Sequence, residues 1–302
     1  MKKIWLFSFI LPFLVLGQQV KIVDTKQITE AGDYFYPRFS KDNSTLFVSS
    51  NNYDGIRAIN IETKAERVIN NYSGAGWDYV ISEDGNNLLC RPYAFIDGMK
   101  YYSIISQNLT DLSENVLEKD IRNLSSPMLS KEGISYIKEG SLESSEIIQN
   151  LSIKENVFVY WDNWNIIIDR NGNKKEYKPF GDEIYIWISL SPDKLKFLFT
   201  LGNKGTFIAD LDGNILVELG KDVQAPKWSP DGNWIVYMNQ TDDGVNYVTS
   251  EIWVVNSMSG NKIQLTNTDN VIEMYPEWSN DGKMITYNST DGQIFISNLS
   301  FE

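Results

Sequence analysis

One short pattern recurs six times along this chain and restricts it to a narrow set of folds. Each copy runs apolar residue, serine, any residue, acid, and four of the six continue with glycine. The fullest copy, Ala225-Pro226-Lys227-Trp228-Ser229-Pro230-Asp231-Gly232-Asn233-Trp234-Ile235-Val236-Tyr237, reads as strand, tight turn, strand. Pro230 fixes φ, Asp231 can accept hydrogen bonds from the turn backbone, and Gly232 can take a positive φ without a Cβ clash. Trp234 to Tyr237 is rich in β-formers and reads as the second strand.

The six serines are Ser40, Ser82, Ser130, Ser191, Ser229 and Ser279, spaced by 42, 48, 61, 38 and 50 residues. Before them stand Phe39, Ile81, Leu129, Leu190, Trp228 and Trp278; two residues after them stand Asp42, Asp84, Glu132, Asp193, Asp231 and Asp281. Pro37, Pro127, Pro226 and Pro276 lie three residues before four of them. Further strands follow most hairpins, as at Ile56 to Ile61, Thr206 to Asp210 and Ile252 to Asn256. Four short strands at this period describe a propeller blade, so the expected fold is an all-β, six-bladed β-propeller. The 61-residue interval reads as one blade with an inserted hairpin around Glu146 to Tyr160, completed by Trp164 to Asp169 and Lys174 to Tyr177. Two short blades there, giving seven, is the alternative. Val20 to Thr29 is strand-like and is expected to close the ring as the outer strand of the last blade, removing an exposed edge.

The chain opens Met1-Lys2-Lys3 and then runs apolar from Ile4 to Leu16, interrupted only by Ser8 and Pro12. This resembles a charged n-region and an h-region of 13 residues, short of the roughly 20 residues a membrane span requires. Residues 1–17 are therefore read as a signal peptide, cut near Gln18, and 18–302 as a single propeller domain exported to the periplasm or beyond without stable membrane insertion. Removing Lys2 and Lys3 from 27 basic residues leaves 25 against 40 acidic ones, a net charge of −15. Such a surface repels phosphate backbones, which argues against nucleic-acid partners. The single cysteine, Cys90, rules out an internal disulfide, and its Leu88-Leu89-Cys90 context reads as buried. The chain has no histidine, which removes Ser–His–Asp and Cys–His catalysis and every His-bearing metal site.

The hairpins Tyr36-Pro37-Arg38-Phe39-Ser40-Lys41-Asp42, Ala225 to Gly232, and Tyr275-Pro276-Glu277-Trp278-Ser279-Asn280-Asp281-Gly282 resemble the WD40-like (PD40) repeat of the TolB family, over residues 33 to 302. The resemblance implies an exported, non-catalytic, partner-binding propeller. TolB carries an α/β domain ahead of its propeller, for which only Val20 to Asp33 is available here. Similar repeats form the propellers of prolyl-oligopeptidase-type peptidases and of oligogalacturonate lyases. The former need a Gly-x-Ser-x-Gly nucleophile and a histidine, the latter histidine-rich metal sites, and this chain has neither.

The six turn acids sit at equivalent positions of separate blades, so turn stabilisation explains them better than a catalytic ring. Asp169-Arg170-Asn171-Gly172-Asn173 and Asp210-Leu211-Asp212-Gly213-Asn214 lack the ligand spacing of a calcium loop and read as hairpin turns. Gly74-Ala75-Gly76 lacks the strand-to-helix setting of a nucleotide loop and reads as a flexible loop entering the second blade. No metal or cofactor is expected. The candidate binding residues flank the loops entering the innermost strands, which surround one mouth of the channel: Tyr36, Arg38, Trp77, Asp78, Tyr185, Trp187, Lys227, Tyr275 and Glu277. Aromatic anchors beside charged orienters form a recognition surface. The expected role is a monomeric, non-enzymatic module binding an envelope protein or peptide; the alternative is a glycan-binding or carboxylate-based glycan-processing propeller.

Overall fold

The computed structural model describes residues 19–130, 133–145, 157–162 and 164–302. Among them the strands form seven antiparallel sheets, six of them built from strands adjacent in the chain. The first blade is Phe35–Phe39, Thr45–Ser49, Ile56–Asn60 and Glu66–Asn70; the second is Val80–Ile81, Asn87–Cys90, Met99–Asn108 and Glu114–Ile121, with Tyr93–Ile96 added alongside Met99–Asn108. The third shows Met128–Ser130, Gly133–Lys138 and Ser141–Ser145, and the fourth Val157–Asp162, Asn165–Arg170 and Asn173–Tyr177. The fifth comprises Ile186–Leu190, Lys196–Leu201, Gly205–Asp210 and Ile215–Gly220, and the sixth Gln224–Trp228, Trp234–Asp242, Tyr247–Asn256 and Lys262–Gln264.

The propeller therefore has seven blades, and the expectation of six is corrected. Val157–Asp162 pairs with Asn165–Arg170 in a sheet of its own rather than forming an insertion in the third blade. The rest of the expected inserted hairpin, residues 146–156, lies outside the described residues, as do Glu132 and residues 1–17.

The seventh blade joins Glu273–Trp278, Met284–Ser289 and Ile294–Phe301 to the strand Val20–Gln27, which pairs Val20 with Phe301 and Gln27 with Phe295. The N-terminal strand thus closes the ring as its sequence suggests. Phe35–Phe39 packs against Glu273–Trp278, so the first and last blades are neighbours. Apolar clusters fill the seams between blades. Leu46, Val48 and Ile59 meet Ile294 and Ile296 at the closing seam, and Phe197, Phe199 and Phe207 meet Ile166 and Ile168 between the fourth and fifth blades. Fully burying one such side chain contributes about 1.5–3 kcal/mol. Cys90 lies at 0% exposure in the seam of the first two blades, as its apolar context predicts.

The repeated turn is a small hydrogen-bonded unit. At Ser40, Ser82, Ser191, Ser229 and Ser279 the hydroxyl donates to the acid two residues on, at 2.5–2.7 Å, and accepts the amide five residues on. The same carboxylates accept the amides of Ser44, Asn86, Leu195, Asn233 and Lys283. These acids stabilise turns, as their positions imply. The tryptophans before the serine tie blades together: Trp228 Nε1 donates to the Ser189 carbonyl and Trp278 Nε1 to the Lys227 carbonyl. Asp169 and Asp210 likewise accept amides within their own hairpins, those of Gly172 and of Asp212 and Asn214.

A candidate recognition surface at the channel mouth

Four residues before the serine, in or just ahead of the innermost strand, five blades carry a non-glycine residue with positive φ: Tyr36 (54°), Asp78 (48°), Trp187 (49°), Ala225 (46°) and Tyr275 (52°). In four of these strands the pairing register shifts across the same residue. Such a bulge re-aims a side chain, and L-residues adopt this conformation at a cost of roughly 1–2 kcal/mol. The repeat therefore holds Tyr36 and Tyr275 turned out of regular strand alternation at the channel mouth.

What they meet there is a chain of rings. Tyr36 stacks on Tyr53 with centroids 4.0 Å apart and 15° between planes, and meets Tyr275 edge-on at 4.7 Å. Tyr53 in turn meets Trp77 at 4.8 Å and 85°. Burial raises the Tyr275 hydroxyl pKa well above the ordinary phenol value, helped by the Tyr36 and Tyr247 hydroxyls beside it. Burial raises the Tyr36 pKa in the same way, with Tyr53 adding to it and Tyr275 opposing it. The arc Tyr247, Tyr275, Tyr36, Tyr53, Trp77 thus crosses the sixth, seventh, first and second blades, and Trp77 ends it 46% exposed.

The charged residues of the channel pair with one another. Lys227 Nζ lies 3.4 Å from Glu277, and Arg38 lies 3.6 Å from Asp78. Arg38 also donates to the Tyr79 carbonyl at 2.6 Å and sits over the Tyr79 ring. Enclosure alone would lower the Arg38 pKa; Tyr79, Asp78 and Glu277 outweigh it and keep the guanidinium firmly charged.

The structure brings Tyr36, Arg38, Trp77, Asp78, Lys227, Tyr275 and Glu277 to this region. It does not bring Tyr185. That residue is 3% exposed and packs on Phe199 at 5.9 Å, with its hydroxyl held between the Phe180 amide and the Gly181 carbonyl. Tyr185 is a core residue, because its strand starts one residue later and leaves it facing the seam. Trp187 is half-buried against the apolar cluster containing Ala225 and Trp234.

Sequence reasoning missed Tyr53, Tyr247 and a cleft beside Trp77. All belong to hairpins joining second and third strands, which return to the same face as the loops entering the innermost strands. The cleft, about 290 Å³, runs between Trp77 and a face of the added hairpin bearing Arg91, Tyr93, Lys100 and Tyr102. Lys100 Nζ lies 3.5 Å from the Tyr93 ring centre, and the Arg91 guanidinium 4.3 Å from that of Tyr102. Gly74 borders it for a packing reason: a Cβ there would stand 2.6 Å from the Tyr93 ring, and one at Gly76 2.0 Å from Ser49 Oγ. The expected flexible loop is a close-packed one. A cavity of about 440 Å³ opens on the opposite face, but its acids Asp42 and Asp84 are engaged in their turns and Arg67 is bonded to the Leu109 and Thr110 carbonyls.

No family model matches the chain, and no curated protein does. Solved structures do. A Vibrio parahaemolyticus oligogalacturonate lyase is similar at 14% identity with a TM-score of 0.52, over 90% of this chain and 79% of that one. The β-propeller domain of Cps50 (Swd1) from Myceliophteria thermophila is similar at 11% identity with a TM-score of 0.60, over 93% of this chain and 100% of that one. A chain of a mitotic checkpoint complex is similar at 11% identity with a TM-score of 0.62, over 99% of each. The likeness is one of fold. It covers the whole ring and assigns no activity.

Proposed function

We propose that the chain is an exported, non-enzymatic binding module, TolB-like in its repeats, whose channel mouth engages a protein or peptide in the bacterial envelope. The observation that carries this reading is the arc from Tyr247 through Tyr275, Tyr36 and Tyr53 to Trp77, contiguous across four blades and ending in a half-exposed indole. Rigid aromatic rings supply contact area at little entropic cost, and the strained backbone beneath Tyr36 and Tyr275 fixes them in advance. The test is capture from envelope extract on immobilised protein, comparing wild type with the Tyr36→Ala/Tyr275→Ala double variant. A partner retained equally by both, or none at all, would sink the reading.

Trp77 also favours a second reading, glycan binding, since an exposed indole face suits a pyranose. Its hydrolytic form needs two open carboxylates about 5–10 Å apart. Asp78 and Glu277 instead neutralise Arg38 and Lys227, and Glu273 is 2% exposed. Screening against an oligosaccharide array, with Trp77→Ala as the control, separates the two readings.

A further inference from the structure

The added hairpin of the second blade, Tyr93–Ile96 paired with Met99–Asn108, is built unlike the others. Asp97 and Gly98, with φ of 50° and 75°, form its two-residue turn, so Ile96 faces Met99 and Phe95 faces Lys100. Strand alternation places Tyr93, Phe95, Lys100 and Tyr102 on one face, and Tyr93, Lys100 and Tyr102 line the cleft beside Trp77 together with Arg91.

Two properties of that face point to its ligand. First, it is cationic on an anionic protein. Among the described residues neither Arg91 nor Lys100 makes a salt bridge; Lys100 rests on Tyr93 and Tyr102, and Arg91 bonds the Leu124 carbonyl and Tyr102 while its buried Nε has no partner. The carboxylate that acts on Arg91 is Asp78, already within 3.6 Å of Arg38. Against a whole-chain charge of −13, a local pair of uncompensated cations focuses an attractive field for anions. Second, the strand Tyr93–Ile96 pairs on one side only. The Tyr93 amide turns outward to the Ser73 carbonyl at 2.9 Å, and the same alternation turns the Phe95 amide and carbonyl outward. Among the described residues no backbone group meets them. Around this open edge Phe95, Ile96 and Met99 are 67%, 39% and 47% exposed.

We infer that this cleft and edge bind an extended acidic peptide segment of the partner: its backbone pairs at Phe95, its carboxylates meet Lys100 and Arg91, and its apolar side chains cover Phe95 and Ile96. The inference rests on the binding-module reading and names the chemistry of its ligand. A peptide fits better than a sugar because Lys100 and Arg91 already cover the faces of Tyr93 and Tyr102 on which a pyranose would stack.

The test is calorimetric titration of the full chain with an end-capped hexaglutamate peptide, with hexalysine and trigalacturonate as the other arms. Hexaglutamate is expected to bind, more weakly as salt rises, and Lys100→Glu and Arg91→Gln are each expected to weaken it about tenfold or more. Lys41→Glu, the same charge change in an exposed turn of the first blade, should leave affinity unchanged. Lys100 is half-exposed, so its variant tests the cleft even where Arg91→Gln fails to fold. Hexaglutamate binding to Lys100→Glu within twofold of wild type, no binding at low salt, or tighter binding of trigalacturonate or hexalysine each overturns the inference. A chain that ignores hexaglutamate yet captures a partner through Tyr36 and Tyr275 loses this inference and keeps the mouth reading. Hexaglutamate binding without such a partner does the reverse.

Discussion

Tyr36 of the first blade and Tyr275 of the last stand edge to face across the seam where the ring closes, with centroids 4.7 Å apart and planes at 61°. They occupy the same position of the repeat, and both carry a positive φ. The aromatic contact between the first and last blades is therefore made by two residues held in a backbone conformation that L-residues avoid.

That strain is measurable. Tyr36→Ala loses the ring contacts and keeps the unfavourable φ, whereas Tyr36→Gly loses the same contacts and relieves it. The glycine variant is expected to be the more stable of the two by about 1 kcal/mol, against glycine's usual disadvantage. Urea denaturation of both variants checks this; an alanine variant at least as stable as the glycine one removes strain from the account.

Glu273, at the start of the seventh blade's innermost strand, is 2% exposed, and its pKa rises to about 7. Burial is the main cause, and Glu251 adds to it, while bonds from Thr266 and Thr268 oppose it. The folded chain holds this proton between about pH 4.5 and 7 and the unfolded chain does not, so the stabilisation is complete below 4.5 and is lost as pH rises through 7. The shift corresponds to about 3 kcal/mol. The melting temperature is expected to fall between about pH 5 and 8, and Glu273→Gln to flatten that fall. An unchanged slope in the variant would assign the effect to other groups.

The turn aspartates act in the opposite sense. Bonds from the serine and from the turn amide hold Asp42 and Asp84 below the usual carboxylate range. Asp231 is also lowered, although burial, its largest single influence, pulls it upward; Ser229 and Asn233 prevail. Their contribution is present above the unfolded carboxylate pKa and is lost as pH falls through the folded one. Asp231→Ala should cost about 1 kcal/mol at neutral pH and leave ligand binding at the mouth untouched, as paired unfolding and titration experiments would show. A binding loss without an unfolding change would contradict a purely architectural role.

Burial pushes the Cys90 thiol up to about 12. Iodoacetamide is accordingly expected to leave the native chain unlabelled and to add one adduct after denaturation, read by intact mass. Rapid native labelling would mean that the seam of the first two blades opens readily.

The propeller was legible because the turn chemistry is local: a serine, an acid two residues on and an amide two residues beyond form one unit that leaves its signature in four or five positions. The blade count was less legible, because the serine-and-acid pattern marks only one hairpin in the 61 residues between Ser130 and Ser191, whereas two sheets, those of Met128–Ser145 and Val157–Tyr177, fall within that stretch of the chain. Seven of the nine residues named from position in the repeat lie together in the structure. Tyr53, Tyr247, Arg91 and Lys100 were not named, because they sit on hairpins of irregular length, where no repeat marks which side chains return to the mouth.

The pairing of Val20 with Phe301 gives the ring a particular order of assembly. Most sheets here are made from strands a few residues apart and can form as the chain emerges, but the seventh blade needs residues 281 positions apart in sequence. Closure of so long a loop is a late and slow step. Until it occurs, both Val20–Gln27 and Ile294–Phe301 present bare edges to other chains. A chain whose ring has not closed can therefore offer either strand to the complementary strand of a second chain, which would make the same pairing between molecules that Val20 and Phe301 make within one.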